Sequence, residues 1–516
     1  MTSTTSRINS SYTFTNGDVY DGEFENNKIH GFGKITFKNG NVYEGYFINN
    51  KKEGKGIFTY AHGEVYDGEW KNNKIHGLGM MRYKNGDVYD GNWENNKIHG
   101  FGKTTFKNGD VYEGCCIDNK MNGSGMLRYK NGSIYDGDWE NNKKHGFGIM
   151  TYNHGSVYDG NWENNKKHGF GIMTYNHGRV YNGNWENDKK HGFGKTTYNN
   201  GSVYDGDWEN DQKHGNGKMT YNNGNVYEGN WENDQKHGYG TMTYKNGDVY
   251  VGDWEDDQKH GYGTTTYNNG NVYEGYWETD HKQGDGKMTY KNGSVYHGNW
   301  ENDQMHGYGT TTYNTGHVYE GYWEDDKKHG TGILTYNNGN RYNGSWENDK
   351  KNGHGKMTYK NGDIYTGEYT GEWEDDKKTY GQMTYKNGDV YKGDWKYNEK
   401  YGYGKMIYAS GDIYNGEWKN DKKTYGQMKY ENGDVYLGEL YGDFLDGDGI
   451  MTYTNGDVFD GLWEYNSLII GKITLENGET RSIKEDVPEL IMPFSNGDEY
   501  YELWWKKEFE RLNPIL

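Results

Sequence analysis

Eleven histidines recur at one position of a repeated segment, among them His30, His76, His145, His214, His260 and His329. A ladder of imidazoles has the chemistry of metal ligation or of a pH switch. The spacing opposes a shared metal: if each repeat advances by two strands, consecutive histidines stand about 10 Å apart, whereas metal-ligand bonds are near 2 Å. Of the two, the pH switch, as a softening of the array on protonation, stays open. Lysine pairs precede many of these histidines, as in Lys143-Lys144-His145 and Lys189-Lys190-His191, and a basic stripe is what anionic lipid headgroups select. Acids such as Glu140, Glu186 and Asp188 stand just before the pairs, so local neutralisation is the simpler reading.

Other chemistries fail on spacing. Asn16-Gly17-Asp18 and its repeats resemble pieces of calcium loops, but they lack the fixed ligand ladder and terminal Glu of an EF-hand. No nucleophile stands with a partnered base, and the many Gly-x-Gly pairs are strand glycines rather than phosphate-cradling loops. No catalytic residue, cofactor or metal is therefore expected. Cys115 and Cys116 are adjacent, where a disulfide is strained, and they read as packing residues. With 77 acids against 57 bases and a net charge of -20, nucleic acid is not an expected partner.

The elements that carry these residues are unusual in composition. The chain has 516 residues with 81 Gly, 53 Tyr and 18 Trp, but only 3 Pro. Ala, Val, Ile, Leu and Phe together make only roughly 14%, well below an ordinary globular domain. Aromatic packing must supply most of the core. No apolar run approaches a membrane span, and the polar segment from Met1 to Ser11 lacks a signal-peptide core. A cytoplasmic location is the expectation.

A tyrosine recurs every 23 residues, from Tyr20, Tyr43 and Tyr66 through Tyr342 and Tyr365. Around Tyr204, Gly206 and Trp208 the apolar residues alternate with Asp205 and Asp207, the pattern of a strand with one buried face. Glu209 to Gln212 is turn chemistry. His214, Gly215, Gly217 and Met219 lead through a second strand to Tyr221, and Asn223-Gly224 supplies the next hairpin turn. Glycines opposite the rings let them lie flat across the backbone, and prolines are absent from the array because central strands need every amide donor. The expected class is all-β, an elongated single-sheet meander of tandem hairpins with a short helical or mixed C-terminal cap. At two strands per unit, about twenty units extend on the order of 200 Å.

The string Tyr-x-Gly-x-Trp, His-Gly-x-Gly, Tyr, Asn-Gly resembles the MORN (membrane occupation and recognition nexus) repeat. Tyr158, Gly160, Trp162, His168, Gly169, Gly171 and Tyr175 carry the full motif, as do Tyr204, Gly206, Trp208, His214, Gly215, Gly217 and Tyr221. The resemblance implies that the histidine is a repeat signature. It also implies scaffolding roles in cytoskeletal, ciliary or membrane-junction assemblies. One departure is systematic: where the family usually has glycine three residues after the tryptophan, this chain has Asn or Asp, as at Asn165, Asp211 and Asp257. Both tolerate a left-handed turn. Near Tyr365 the segment Tyr-Thr-Gly-Glu is duplicated, and shortened units follow at Thr379-Tyr380-Gly381 and Thr424-Tyr425-Gly426; drift accounts for them, with a bend or docking site as the alternative.

Three regions result: 1–19, an N-terminal tail and partial repeat; 20–478, the array, irregular from 365; and 479–516, a capping segment. In the last, Tyr501, Trp505, Phe509 and Leu512 fall at helical spacing, suited to capping the final strand edge or to docking a partner. The expected function is a non-catalytic scaffold for protein partners, with a second copy of the chain admitted among them. A peripheral membrane module binding anionic phospholipid is the alternative. The face assignment predicts that Gly169→Val wedges a side chain under the aromatic rings, while Lys166→Val on the rim changes little.

Overall fold

A computed structural model describes residues 8–361 and 364–483. Among these residues there are forty-two strands, running from Ile8–Thr13 to Thr480–Ile483, and no helix. The chain falls into two units. One takes the residues up to Asn268 together with Glu278–Asp280, and the other takes Asn269–Trp277 and the residues from His281 onward. Within each, consecutive strands pair antiparallel, so the expected all-β meander of tandem hairpins is what forms.

The unit that begins at Tyr158 shows why. Val157–Glu163 pairs with Lys166–Thr174, with Tyr158 opposite Met173 and Gly160 opposite Gly171. Asn164 and Asn165 close this hairpin with φ of 50° and 71°, angles that Asn and Asp tolerate where other side chains strain. Between the Gly160–Gly171 and Trp162–Lys167 pairs, Asn161 stands alone against His168, Gly169 and Phe170. This bulge gives Gly169 its φ of 65°, and a bulge of this kind adds local twist. The second strand then pairs with Val180–Glu186 through a loop in which the Tyr175 amide donates to the Arg179 carbonyl at 2.8 Å.

The side chains that alternate along each strand sort onto two faces. On the packed face one tyrosine per unit, from Tyr20 to Tyr436, is fully buried, and the tryptophans beside them are nearly so. The other face stays open to solvent. The two shortened units keep the ladder but lose part of the bulge: Gly416 pairs with Gly426 and Trp418 with Lys423, leaving only Thr424 extra. The duplicated segment becomes one long strand, Ile364–Glu374, and Tyr369 takes the buried tyrosine place.

The regularity continues into the last described strands. Trp463 donates to the Gly449 carbonyl at 2.8 Å, and Ser467–Thr474 pairs with Thr480–Ile483. Tyr501, Trp505, Phe509 and Leu512 of the expected cap lie outside the described residues.

Candidate functional site

The packed face is built from the tyrosine outward. Tyr158 lays its ring over its own strand pair, and a Cβ on either Gly160 or Gly171 would come within 3.0 Å of its phenol. Its hydroxyl donates to the Asn161 carbonyl at 2.9 Å. The ring meets Trp162 of its own unit at 5.2 Å and Trp185 of the next at 5.4 Å, both edge to face, the geometry that the ring quadrupoles favour. Tyr204 repeats this arrangement over Gly206 and Gly217, between Trp208 and Trp231. Each tryptophan also reaches back one unit, with Trp162 donating to the Gly148 carbonyl at 3.0 Å and Trp208 to that of Gly194 at 2.9 Å. Burial pushes the tyrosine hydroxyls up, Tyr221 to about 12 and Tyr158 and Tyr204 further.

Two sequence-based assignments are corrected here. Gly169 does not lie under the aromatics: a Cβ there would approach Asn161, at 3.2 Å from its amide nitrogen. Its need for glycine is the left-handed backbone of the bulge; Gly215 has the same role, with φ of 58°. The glycines that the rings require are Gly160, Gly171, Gly206 and Gly217. The lysine pairs also divide between environments. Lys143 is exposed and donates to Asn164, but Lys144 stands over the Trp162 ring with Nζ at 4.4 Å from its centroid. Lys167, Lys190 and Lys213 cap Trp185, Trp208 and Trp231 in the same way, at 4.1, 4.1 and 4.0 Å. Burial pulls the Lys190 amine down to about 8. Neutralisation by sequence neighbours therefore does not describe the second lysine, which contributes packing and a cation–π contact. Its fixed offset from the following tryptophan was the sequence signal available.

The residue that replaces the family's usual glycine is also active. Asp188 accepts from the Lys167 amide at 2.9 Å while its own amide donates to the Lys167 carbonyl at 3.0 Å. Asp211 does the same with Lys190. Each such turn is thereby tied to the preceding unit by a side-chain bond that glycine cannot make.

On the open face, His168 faces Glu163 at 3.4 Å and His214 faces Glu209 at 3.3 Å, each within one hairpin. These pairs repeat along the array, for instance His145 with Glu140 and His237 with Glu232. Between His-Gly and the next glycine stands a solvent-facing ring, as at Phe147, Phe170 and Phe193, which are 54–60% exposed. Among the described residues, no three His, Cys, Asp or Glu side chains gather as metal ligands, and no helix is long and apolar enough to cross a membrane. Cys116 occupies a buried tryptophan place, and burial pushes its thiol up to about 11, which removes it from thiolate chemistry near neutrality. The arrangement offers repeated aromatic and charged contacts along the open face.

A family model described as the MORN repeat matches nineteen segments of the chain, from 20–42 through 436–458. Among curated proteins, none matches. Among solved structures, the TCP10 domain of Danio rerio CPAP shares 12% identity over 43% of this chain and 93% of that one, with a TM-score of 0.18. The TCP domain of Drosophila melanogaster SAS-4, in complex with a proline-rich motif of Ana2, shares 13% over 47% and 88%, with a TM-score of 0.12. A virginiamycin B lyase from Staphylococcus aureus shares 10% over 57% and 95%, with a TM-score of 0.11.

Proposed function

The chain belongs to the MORN repeat family, and from that premise we propose that it is a non-catalytic scaffold that holds protein partners on its open face. The family is in general non-catalytic. The observation that carries the reading is the repetition of one exposed ring at one register position: Phe147, Phe170 and Phe193 occupy it in three consecutive units. Exposed aromatics are favoured at protein interfaces, and a row of weak equivalent sites gains by multivalency. The packed face is already filled by its own rings, which leaves the open face for association.

The test compares the full-length chain with the variant Phe147→Ser/Phe170→Ser/Phe193→Ser in capture of proteins from an extract, read by quantitative mass spectrometry. Sedimentation with phosphatidylserine vesicles runs in parallel. The scaffold reading expects capture that the triple variant weakens, and no lipid-dependent pelleting at physiological salt. Unchanged capture by the variant would overturn the open-face assignment. Pelleting with vesicles and no protein capture would favour the phospholipid-binding alternative.

A further inference from the structure

One row of the open face changes its charge in the second unit. The row is formed by the residue after each buried tyrosine and its cross-strand partner. In the first unit the position after the tyrosine is acidic in turn at Asp21, Glu44, Asp67, Asp90 and Glu113. Lysines in this row meet its acids: Lys34 lies 3.8 Å from Glu44, and farther along Lys218 lies 3.2 Å from Glu228. From Asn343 to Ile450 the row holds no carboxylate at all, and its charged members are Lys356, Lys392 and Lys405. Lys392 and Lys405 stand directly opposite each other in one hairpin. Like charges directly across a ladder destabilise it, so the local fold gains nothing from this pair.

The same two lysines line a depression of about 500 Å³ on the open face. Gln382 and Asn415 continue their row on either side. Tyr380 and Tyr403, 49% and 64% exposed, form one wall, and Val390 and Ile407 line the other side. The acid of the tyrosine wall is engaged, since the Asp394 carboxylate accepts from the Tyr403 amide at 3.1 Å. From Gln382 to Asn415 the row crosses four strands, about 14 Å, the length of four or five extended residues.

We infer that this groove binds an extended acidic peptide segment of a protein partner, its carboxylates meeting Lys392 and Lys405 and its neighbouring side chains resting on the tyrosine and aliphatic walls. The carboxylates supply the counter-charge that the row lacks. An extended peptide can place carboxylates on the lysine row and side chains on both flanking walls at once. A bare phosphate would leave the aromatic and aliphatic walls unused. The net charge of -20 on the chain as a whole disfavours an extended polyanion but leaves room for a short segment held at close range. This inference rests on the scaffold reading and names the partner chemistry of one place on it.

The test uses the full-length chain and a fluorescein-labelled peptide of alternating Glu and Val, about ten residues long so that at about 3.3 Å per residue it overruns the groove. Fluorescence anisotropy is expected to show saturable binding, absent for the peptide with Gln in place of Glu. Lys392→Glu/Lys405→Glu should weaken binding on the order of ten-fold or more, whereas Lys218→Glu, in the acid-paired part of the row, should leave it unchanged. Lys405→Glu alone should weaken peptide binding and raise the thermal midpoint, because it places a carboxylate opposite Lys392. A purely structural lysine pair would not couple gained stability to lost binding.

Equal binding by the double variant, or equal loss in Lys218→Glu, would overturn the inference. So would vesicle binding that depends on Lys392 and Lys405 without peptide binding, which would assign the groove to lipid. Extract proteins captured equally by wild type and double variant, with no peptide bound, would sink this inference and spare the scaffold reading. Capture by neither chain would remove the scaffold reading itself.

Discussion

At the scale of single residues, the two kinds of glycine separate by mechanism. Gly171→Ala puts a Cβ within 3.0 Å of the Tyr158 phenol, where neither ring nor backbone can yield, and overpacking of this kind costs about 1–3 kcal/mol. Gly169→Asn meets a left-handed backbone, which Asn tolerates, and the end of the Asn161 side chain, which can turn aside, and should cost under about 1 kcal/mol. Denaturant titration of the two variants checks the order; equal losses would contradict the face assignment. Thr196 makes a second case. It is fully buried, and its hydroxyl has no partner among the described residues, at the place that Met173 and Met219 hold in neighbouring units. Thr196→Val should stabilise by about 1 kcal/mol by removing an unpaired polar atom. A drop in the thermal midpoint would mean that the hydroxyl is satisfied. The tyrosine, tryptophan and strand glycines could be read from alternation alone. Gly169 was misplaced because a bulge shifts the alternation by residues that the repeat string does not mark as extra. The lysine caps were missed because a basic residue beside acids reads as solvated unless the facing ring is known.

At the scale of the hairpin, the two-residue turn is both a chain reversal and a tie to the unit before it. Asp211 has φ of 72° and accepts from the Lys190 amide at 2.9 Å. Asp211→Gly keeps the conformation and loses the side-chain bond, for an expected cost of about 1 kcal/mol. Asp211→Ala loses both and should cost more. Hydrogen exchange is the measurement, with faster exchange expected at the Lys190 amide in both variants; unchanged exchange there would contradict the tie. The positive φ of these turns was legible in the Asn-Asn, Asn-Asp and Asp-Asp pairs. Their bond to the preceding unit was not, because it joins residues 21 apart that come together only once strand register is fixed. The shortened units were also legible as an interruption, and their conformation was not: the ladder passes through them with a smaller bulge. The loss of carboxylates from one row near them needed the cross-strand pairing to be seen as a row.

At the scale of the whole molecule, a buried tyrosine recurs in nearly every unit and a ring-capping lysine in many of them, so their titrations add along the array. Burial pulls Lys52, Lys190 and Lys378 down to about 8 from an ordinary 10.5. Between those values the unfolded chain holds more protons than the folded one, and stability rises with pH. Burial pushes the core tyrosines from 10.0 upward, Tyr20 to about 12 and Tyr43 further. Above about pH 10 the folded chain keeps protons that the unfolded chain releases, and stability falls. The thermal midpoint should therefore climb from about pH 8, peak near pH 10 and drop beyond it, with tyrosinate absorbance appearing together with unfolding. A midpoint that only declines from pH 8 would contradict the lysine part. Repetition was the most legible property at this scale, because each unit restates its neighbours' pattern, whereas the face proposed for partners follows from which side the rings have already filled.

The most direct test of the central claim is hydroxyl-radical footprinting of the full-length chain, alone and bound to a protein partner captured as described above. The account predicts ready oxidation of Phe147, Phe170, Phe193 and Tyr403 in the free chain, protection of open-face rings in the complex, and slow, unchanged oxidation of Trp162 and Trp185. Protection confined to the packed face, with the open-face rings as reactive as before, would contradict it.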